Sequence, residues 1–81
     1  MAKSIHTARH EALRQAIIEK RLAAGMTQQQ VARKLRRYQS FVATVESGQR
    51  RIDVIEFLDF ANAIGFKPDP VIRKISLVSE T

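Results

Sequence analysis

Residues 27–47 of the chain read TQQQVARKLRRYQSFVATVES, in which two short stretches of helical periodicity flank a charged interruption. Thr27 stands where an N-cap residue would accept a hydrogen bond, and Gln30 follows in the position that completes a capping box. Beyond the interruption, Val42 and Val45 recur at the spacing of one helix face. The stretch therefore predicts two short helices joined by a turn of about three or four residues.

Glycine residues divide the rest of the chain, because Gly commonly takes the left-handed conformation that ends a helix. Gly25, Gly48 and Gly65 each follow a stretch in which apolar residues have helical spacing. The first of these stretches, residues 7–24, alternates apolar and charged positions as an amphipathic helix does. Helix ends are predicted at all three glycines.

Two further helices are predicted towards the C terminus. Asp53 and Glu56 repeat the capping-box signature. Pro68 and Pro70 then bracket a turn, and Pro70 suits the first position of a last helix over residues 69–79. The apolar set after Asp53 is wide enough to face a core on more than one side. Its members are Val54, Ile55, Phe57, Leu58, Ala61 and Ile64.

The composition is that of one small globular domain. The chain has 81 residues, 44% of them hydrophobic, and no Cys, so neither a disulfide nor a thiolate metal site can add stability. We expect a single, compact, all-α domain of four to five helices over residues 1–81, with residues 1–6 as a flexible N terminus. No run approaches the roughly 18 apolar residues of a transmembrane helix, and no signal-peptide h-region is present. A cytoplasmic location is expected.

The net charge of +6 favours a polyanionic partner such as nucleic acid or an anionic membrane surface. This charge is polarised along the chain, because residues 28–51 contain six basic residues and a single acidic one, Glu46. Residues 54–64 contain Glu56 and Asp59 and no basic residue. One sign of charge around two short helices favours contact with DNA phosphates. Membrane binding is disfavoured, because the first helix mixes acids with its bases and has no bulky apolar belt.

Two short helices in a small basic all-α domain are typical of a helix-turn-helix, which lays its second helix in the DNA major groove. Four short motifs lie in and around this region: GMTQ at 25–28, VA at 31–32, QSFV at 39–42 and ESG at 46–48. Through these motifs the chain resembles the phage Cro and repressor-type helix-turn-helix family over roughly residues 13–66. The resemblance implies a five-helix fold and binding to operator DNA as a two-fold homodimer.

The resemblance also favours particular residues for contact with DNA. Polar residues cover any exposed helix, but Gln can pair bidentately with adenine, and Ser or Thr with several bases. The predicted base readers are Gln28, Gln39, Ser40 and Thr44. Basic side chains and the polar groups at helix ends and in the loop after the third helix are suited to phosphates. The predicted phosphate contacts are Arg37, Arg50 and Arg51, with Thr27, Ser47 and Gln49 adding hydrogen bonds.

Two positions in this region are unusual. Glu46 would repel phosphates unless its carboxylate turned inward and paired, and the resemblance supports Arg21 as the partner that joins the first helix to the third. A loose surface pair is the alternative. Arg36 occupies the turn, where the family usually has Gly because a positive φ is needed. Either the turn differs, or the charge of Arg36 compensates a cost of roughly 1 kcal/mol.

Other functions have little support in the sequence. His6 and His10 are spaced to share a helix face, but no third ligand completes a metal site. A Cys nucleophile, a Gly-rich phosphate loop and clustered carboxylates are all missing, so we predict no enzymatic activity, metal or cofactor. The predicted function is sequence-specific binding of double-stranded DNA by a transcriptional regulator, with repression as the expected effect.

The alternative is a protein that acts mainly through protein contacts, such as the antitoxin of a toxin–antitoxin pair or a phage-type accessory protein. It rests on an apolar set at the C terminus, which could complete the core or contact another subunit. The set comprises Val71, Ile72, Ile75, Leu77 and Val78. The sequence leaves both roles open.

Overall fold

The structure is a computed structural model that describes residues 7–79. Over that range it contains five α-helices and no strand, which confirms the predicted all-α fold. The helices are α1 (Ala8–Ala23), α2 (Gln28–Leu35), α3 (Gln39–Glu46), α4 (Val54–Ile64) and α5 (Pro68–Ser76). The N terminus predicted to be flexible, residues 1–6, lies outside the described residues.

Two capping boxes fix where α2 and α4 begin. Thr27 Oγ1 accepts from the Gln30 amide at 3.1 Å, and Gln30 Oε1 accepts from the Thr27 amide at 2.8 Å. Asp53 and Glu56 make the equivalent pair of bonds at 2.7 and 3.0 Å. Both boxes satisfy amides that have no acceptor inside the helix, so the two predicted helix starts are confirmed.

A single core holds the helices together. Ile17 of α1, Val31 of α2, Val42 of α3 and Phe60 of α4 are each at most 1% exposed. Ala32 is 2% exposed in the same cluster, and its small side chain suits the close approach of α2 and α3. The core therefore sets the relative placement of the two central helices.

Only part of the apolar set predicted to turn α4 towards the core on more than one side is buried. Phe57 and Phe60 are buried, whereas Val54 and Ile55 are 70% and 66% exposed and Leu58 is 43% exposed. Phe57, Phe60 and Ile64 belong to the core cluster, and their spacing of three and four residues places them on one face of the helix. An apolar strip along the N-terminal half of α4 thus remains on the surface.

The last helix begins at Pro68, earlier than the predicted start at residue 69 or 70, and ends at Ser76. Proline is compatible with both the first and the third helical positions, because the first backbone amides of a helix have no intrahelical acceptor. Pro70 therefore costs no hydrogen bond inside the first turn of α5.

The C-terminal apolar set is divided between core and surface. Val71 is 6% exposed and Ile75 packs against the core, while Ile72 and Leu77 are 49% and 80% exposed. Arg9 of α1 also donates to the Val78 carbonyl at 3.0 Å. The helix α5 completes the domain and leaves part of its apolar surface outside.

Candidate nucleic-acid interface

A three-residue turn, Arg36 to Tyr38, separates α2 from α3. Arg36 has φ 59° and ψ 42°, the left-handed conformation, and ends α2. This bend lets the Arg37 amide donate to the Ala32 carbonyl at 3.0 Å. The turn keeps the geometry that usually calls for Gly, so Arg36 bears a strain of roughly 1 kcal/mol.

The exposed face of α3 carries three of the predicted base readers. Tyr38 is the N-cap residue but makes no side-chain capping bond, so α3 begins at Gln39 without help from a cap. Gln39 and Ser40 are exposed, and Thr44, one turn beyond Ser40, is half-buried. Thr44 Oγ1 donates to the Ser40 carbonyl at 2.6 Å, which orients its hydroxyl along the helix.

A chain of side-chain hydrogen bonds runs from α1 to the start of α3. Arg21 donates from Nε to Glu46 Oε2 at 2.6 Å and from Nη2 to Glu46 Oε1 at 2.9 Å. Gln28 Nε2 donates to the same Glu46 Oε1 at 2.9 Å. Gln39 Nε2 then donates to Gln28 Oε1 at 3.3 Å. We call these four residues the Arg21–Gln39 chain.

The inner end of this chain is buried. The side chains of Arg21 and Glu46 are 13% and 6% exposed, and the hydrogen bond to Glu46 is the main cause that raises the pKa of the Arg21 guanidinium above its ordinary value. A charged pair at this depth is held rigidly because leaving either partner unpaired would be costly. The Gln28 amide is oriented by its hydrogen bond to Glu46, and its oxygen accepts the hydrogen bond that orients Gln39.

Three of the predicted phosphate contacts lie at helix ends or in the loop after α3. The hydroxyl of Thr27 caps α2, and Ser47 Oγ donates to the Thr44 carbonyl at 2.9 Å. Gln49 has an exposed side chain, while its amide donates to the same carbonyl at 3.2 Å. The hydroxyl hydrogen of Ser47 and the amide of Gln49 are therefore engaged inside the loop, whereas the Gln49 side chain is exposed to solvent.

Two of the three arginines predicted to contact phosphates, Arg37 and Arg50, lie in a cluster that the sequence did not indicate. Arg50 donates from Nη1 and Nη2 to the two carboxylate oxygens of Glu56 at 3.0 and 2.9 Å. Arg37 Nη1 lies 4.0 Å from Glu56 Oε2, and its Cζ lies 3.7 Å from the centre of the Phe41 ring. Arg50 Cζ lies 4.9 Å from the same ring centre. We call this the Glu56 cluster; Arg51, the next residue, is exposed.

The Glu56 cluster shifts the ionisation of its members. The hydrogen bond from Arg50, followed by the backbone bond from Asp53, lowers the pKa of Glu56 below its ordinary value of 4.5. The same contact with Glu56 is the main cause of a raised pKa at Arg50. Both groups are therefore charged at neutral pH. The carboxylate of α4 offsets part of the positive charge that the sequence concentrates in residues 28–51.

The described residues contain neither a candidate metal site nor a candidate membrane span. Within residues 7–79, no group of three or more His, Asp or Glu is placed to hold a metal ion, and His6 lies outside that range. None of the helices in the same range is long and apolar enough to cross a membrane.

The capped α2, the left-handed turn and the exposed α3 define a small helix-turn-helix protein. The chain belongs to the helix-turn-helix domain family, whose pattern matches residues 8–73. It is also similar to the solved structure of an XRE-family like protein from Pseudomonas syringae pv. tomato str. DC3000, at 46% identity and a TM-score of 0.81. That match covers 85% of this chain and 84% of the other. The comparison with curated protein sequences gives no match.

These comparisons support a DNA-binding regulator of the helix-turn-helix family. They do not single out the phage Cro and repressor branch of that family, to which the sequence bears its resemblance.

Proposed function

We propose that the protein is a sequence-specific repressor of the Cro and repressor type that acts in the cytoplasm. Two copies would place α3 in successive major grooves of a two-fold operator. The observation that supports this most is the Arg21–Gln39 chain, because it anchors an exposed amide at the start of α3 to a buried ion pair. A restrained polar group on an exposed helix face is suited to reading a base edge.

The hydrogen bonds indicate different roles for Gln28 and Gln39. Gln39 uses one of its amide hydrogens on Gln28, which leaves its Oε1 and its second hydrogen for the N6 and N7 edge of adenine. Gln28 has both ends of its amide engaged inside the protein. We therefore assign direct reading to Gln39, and to Gln28 the orientation of Gln39 with a weaker base contact through its remaining hydrogen.

The other two predicted readers contribute in different ways. Ser40 is exposed beside Gln39, and its hydroxyl can donate to or accept from several bases. Thr44 donates its hydroxyl hydrogen to the Ser40 carbonyl, so only its oxygen lone pairs and its methyl group remain available for DNA. Thr44 is suited to contact with a thymine methyl group or a cytosine amino group.

Phosphate contacts would flank this reading face. Such contacts fix the register of a protein on the duplex without carrying sequence information. Thr27 and Gln49 would donate hydrogen bonds to the DNA backbone, and the guanidinium groups would add charge. Ser47 would donate as well if its hydroxyl turned from the Thr44 carbonyl to a phosphate oxygen. The assigned residues are Thr27, Arg37, Ser47, Gln49, Arg50 and Arg51.

The exposed strip on α4 supports the homodimer. Val54 of α4 and Ile72 of α5 line one apolar depression, so the strip with Ile55 and Leu58 continues onto the last helix. A domain of this size gains from further burial, and a self-complementary patch is what a two-fold interface requires. We assign this face to a second copy of the chain.

An antitoxin-like or accessory protein would use the same face to bind a different protein. Sedimentation of the purified chain distinguishes these two functions. A dimer supports the repressor, whereas a monomer would indicate that the apolar face binds a different protein.

Binding to duplex DNA tests the proposed function itself. The protein should bind a mixed-sequence duplex with an affinity that falls steeply between about 50 and 200 mM salt, as phosphate contacts require. It should bind a single strand of the same composition more weakly, because α3 is shaped for the major groove. Equal affinity for the duplex and the single strand, or binding that does not depend on salt, would refute the proposed function.

A further inference from the structure

Glu56 belongs to α4, yet its carboxylate lies among the cations around the helix-turn-helix. It is 17% exposed, and it accepts from both terminal nitrogens of Arg50. A carboxylate that accepts from two guanidinium nitrogens has the geometry of the strongest ion pairs, and a phosphate binds arginine in the same bidentate way. Glu56 therefore occupies the edge of Arg50 that a DNA phosphate would use.

The carboxylate also reaches the second arginine of the cluster. Arg37 and Arg50 both lie against the ring of Phe41, with Cζ to ring-centre distances of 3.7 and 4.9 Å. Glu56 lies within 4.0 Å of Arg37 Nη1 and 2.9 Å of Arg50 Nη2. The aromatic ring fixes the two cations side by side, and the carboxylate neutralises part of their combined charge.

We propose that Glu56 limits the affinity of the protein for the DNA backbone by competing with phosphates for Arg50 and Arg37. The proposal rests on the DNA-binding function proposed above and adds a residue that restrains it. Because the competitor is part of the same chain, it is present at fixed geometry whatever the DNA concentration. Its effect falls on phosphate contacts, which all sequences share, and so it reduces nonspecific binding.

The capping role of Glu56 does not account for the charge. Its Oε1 accepts from the Asp53 amide at 3.0 Å to close the capping box of α4. A Gln side chain completes a capping box equally well, as Gln30 does at the start of α2. The substitution Glu56→Gln therefore removes the charge while it keeps the acceptor that begins the helix.

A matched variant corrects for the change in total charge. Asp59 is exposed on the same helix, and among residues 7–79 it forms no ion pair. Asp59→Asn raises the net charge by the same amount as Glu56→Gln without touching Arg37 or Arg50. Any difference between the two variants then reports the local competition.

The experiment titrates wild type, E56Q and D59N into a fluorescent mixed-sequence duplex at several salt concentrations. E56Q should bind about three- to tenfold more tightly than wild type, with a steeper dependence on salt, because a charge next to the phosphate contacts has been removed. D59N should change affinity by less than half as much on a logarithmic scale. Circular dichroism confirms that both variants remain helical.

Two outcomes would overturn the proposal. If E56Q binds no more tightly than D59N, Glu56 does not compete; if it binds more weakly than wild type, Glu56 positions Arg50 for phosphate instead. The gain should also shrink when E56Q is made in an R50Q background, because one of the two cations is then gone. A wild-type protein that fails to bind duplex DNA at all would instead refute the proposed function.

Discussion

Arg21 and Glu46 form a two-pronged ion pair, 2.6 Å from Nε to Oε2 and 2.9 Å from Nη2 to Oε1, which joins α1 to the last residue of α3. Arg21 also donates to the Met26 carbonyl at 2.9 Å, just before α2 begins. One guanidinium thus ties together the first helix, the start of α2 and the end of α3. The orientation of α3 depends on this buried pair as well as on the apolar core.

Removing the cation should be costly. Arg21→Met keeps the length of the side chain but leaves the Glu46 carboxylate, 6% exposed, without its charged partner. We expect the free energy of unfolding to fall by about 3 kcal/mol or more, measured by urea denaturation.

The double variant R21M/E46L serves as its control. It removes both charges and should recover most of the loss, because an apolar pair of similar volume avoids the desolvation of an unpaired ion. A loss below about 1 kcal/mol in R21M would mean that the pair behaves as a loose surface contact.

Arg36 should be a site where Gly stabilises the fold. Its left-handed backbone, with φ 59°, costs a residue with a Cβ roughly 1 kcal/mol, and Gly avoids that cost. Part of the gain is lost because Gly is more flexible in the unfolded chain, so we expect Arg36→Gly to stabilise by about 0.5 kcal/mol. Arg36→Ala keeps the strain and should not stabilise. Thermal unfolding that ranks the two variants in the opposite order would contradict the strained turn.

The protein should lose stability in acid as Glu56 becomes protonated. Arg50, Asp53 and Arg37 lower the pKa of Glu56 in the folded state, so the unfolded chain binds more protons as pH approaches 4.5 from above. The stabilisation from its charge is therefore complete above the ordinary pKa and is lost as pH falls through the lowered one. The difference in unfolding free energy between wild type and E56Q should stay constant from neutral pH to about pH 5 and shrink below it. A difference that persists undiminished in strong acid would contradict the ion pair.

Gln39 and Arg51 should affect DNA binding in different ways. Gln39→Ala should weaken binding to a preferred duplex by about 1–3 kcal/mol and relax the preference at one base position. Arg51→Ala should weaken preferred and mixed-sequence duplexes alike and flatten the salt dependence. Competition titrations with the two duplexes separate these effects. An unchanged preference in Gln39→Ala would remove that residue from the reading face.

The apolar strip should control self-association. Ile72→Asp places a charge at a position that is 49% exposed and next to the strip on α4, so it should shift a dimer towards monomer in sedimentation experiments. Leu22, which is 60% exposed near the end of α1, provides the control, since Leu22→Asp should leave the dimer intact. Equal effects from both substitutions would argue against an interface at the strip.

Local signals in the sequence predicted much of the fold. The capping boxes at Thr27 and Asp53 act over three residues, and a left-handed Gly ends a helix through its own backbone, so both can be recognised without tertiary information. The exposure of Val54 and Ile55 could not be predicted in this way. Which side of α4 meets the core depends on how the other four helices approach it.

Fewer of the side-chain contacts in the candidate site could be predicted from the sequence. Glu56 follows Arg50 by six residues, and they meet because the loop after α3 folds back along the first turn of α4. The engagement of Gln28 by Glu46 likewise depends on the packing of α2 against α3. The available signal was that an acidic residue, Glu56, follows a basic segment closely. The order of charges along the chain does not show which charged side chains meet in the folded protein.

Selection of bound fragments from random duplex DNA tests most directly the claim that α3 reads a two-fold operator. The fragments should share a motif with two inverted half-sites about one helical turn apart, the spacing at which a two-fold dimer presents two copies of α3. Adenine-containing positions within each half-site should lose their preference when Gln39 is replaced by Ala. Fragments that share no motif, under salt conditions where the protein still binds duplex DNA, would contradict sequence-specific reading by α3.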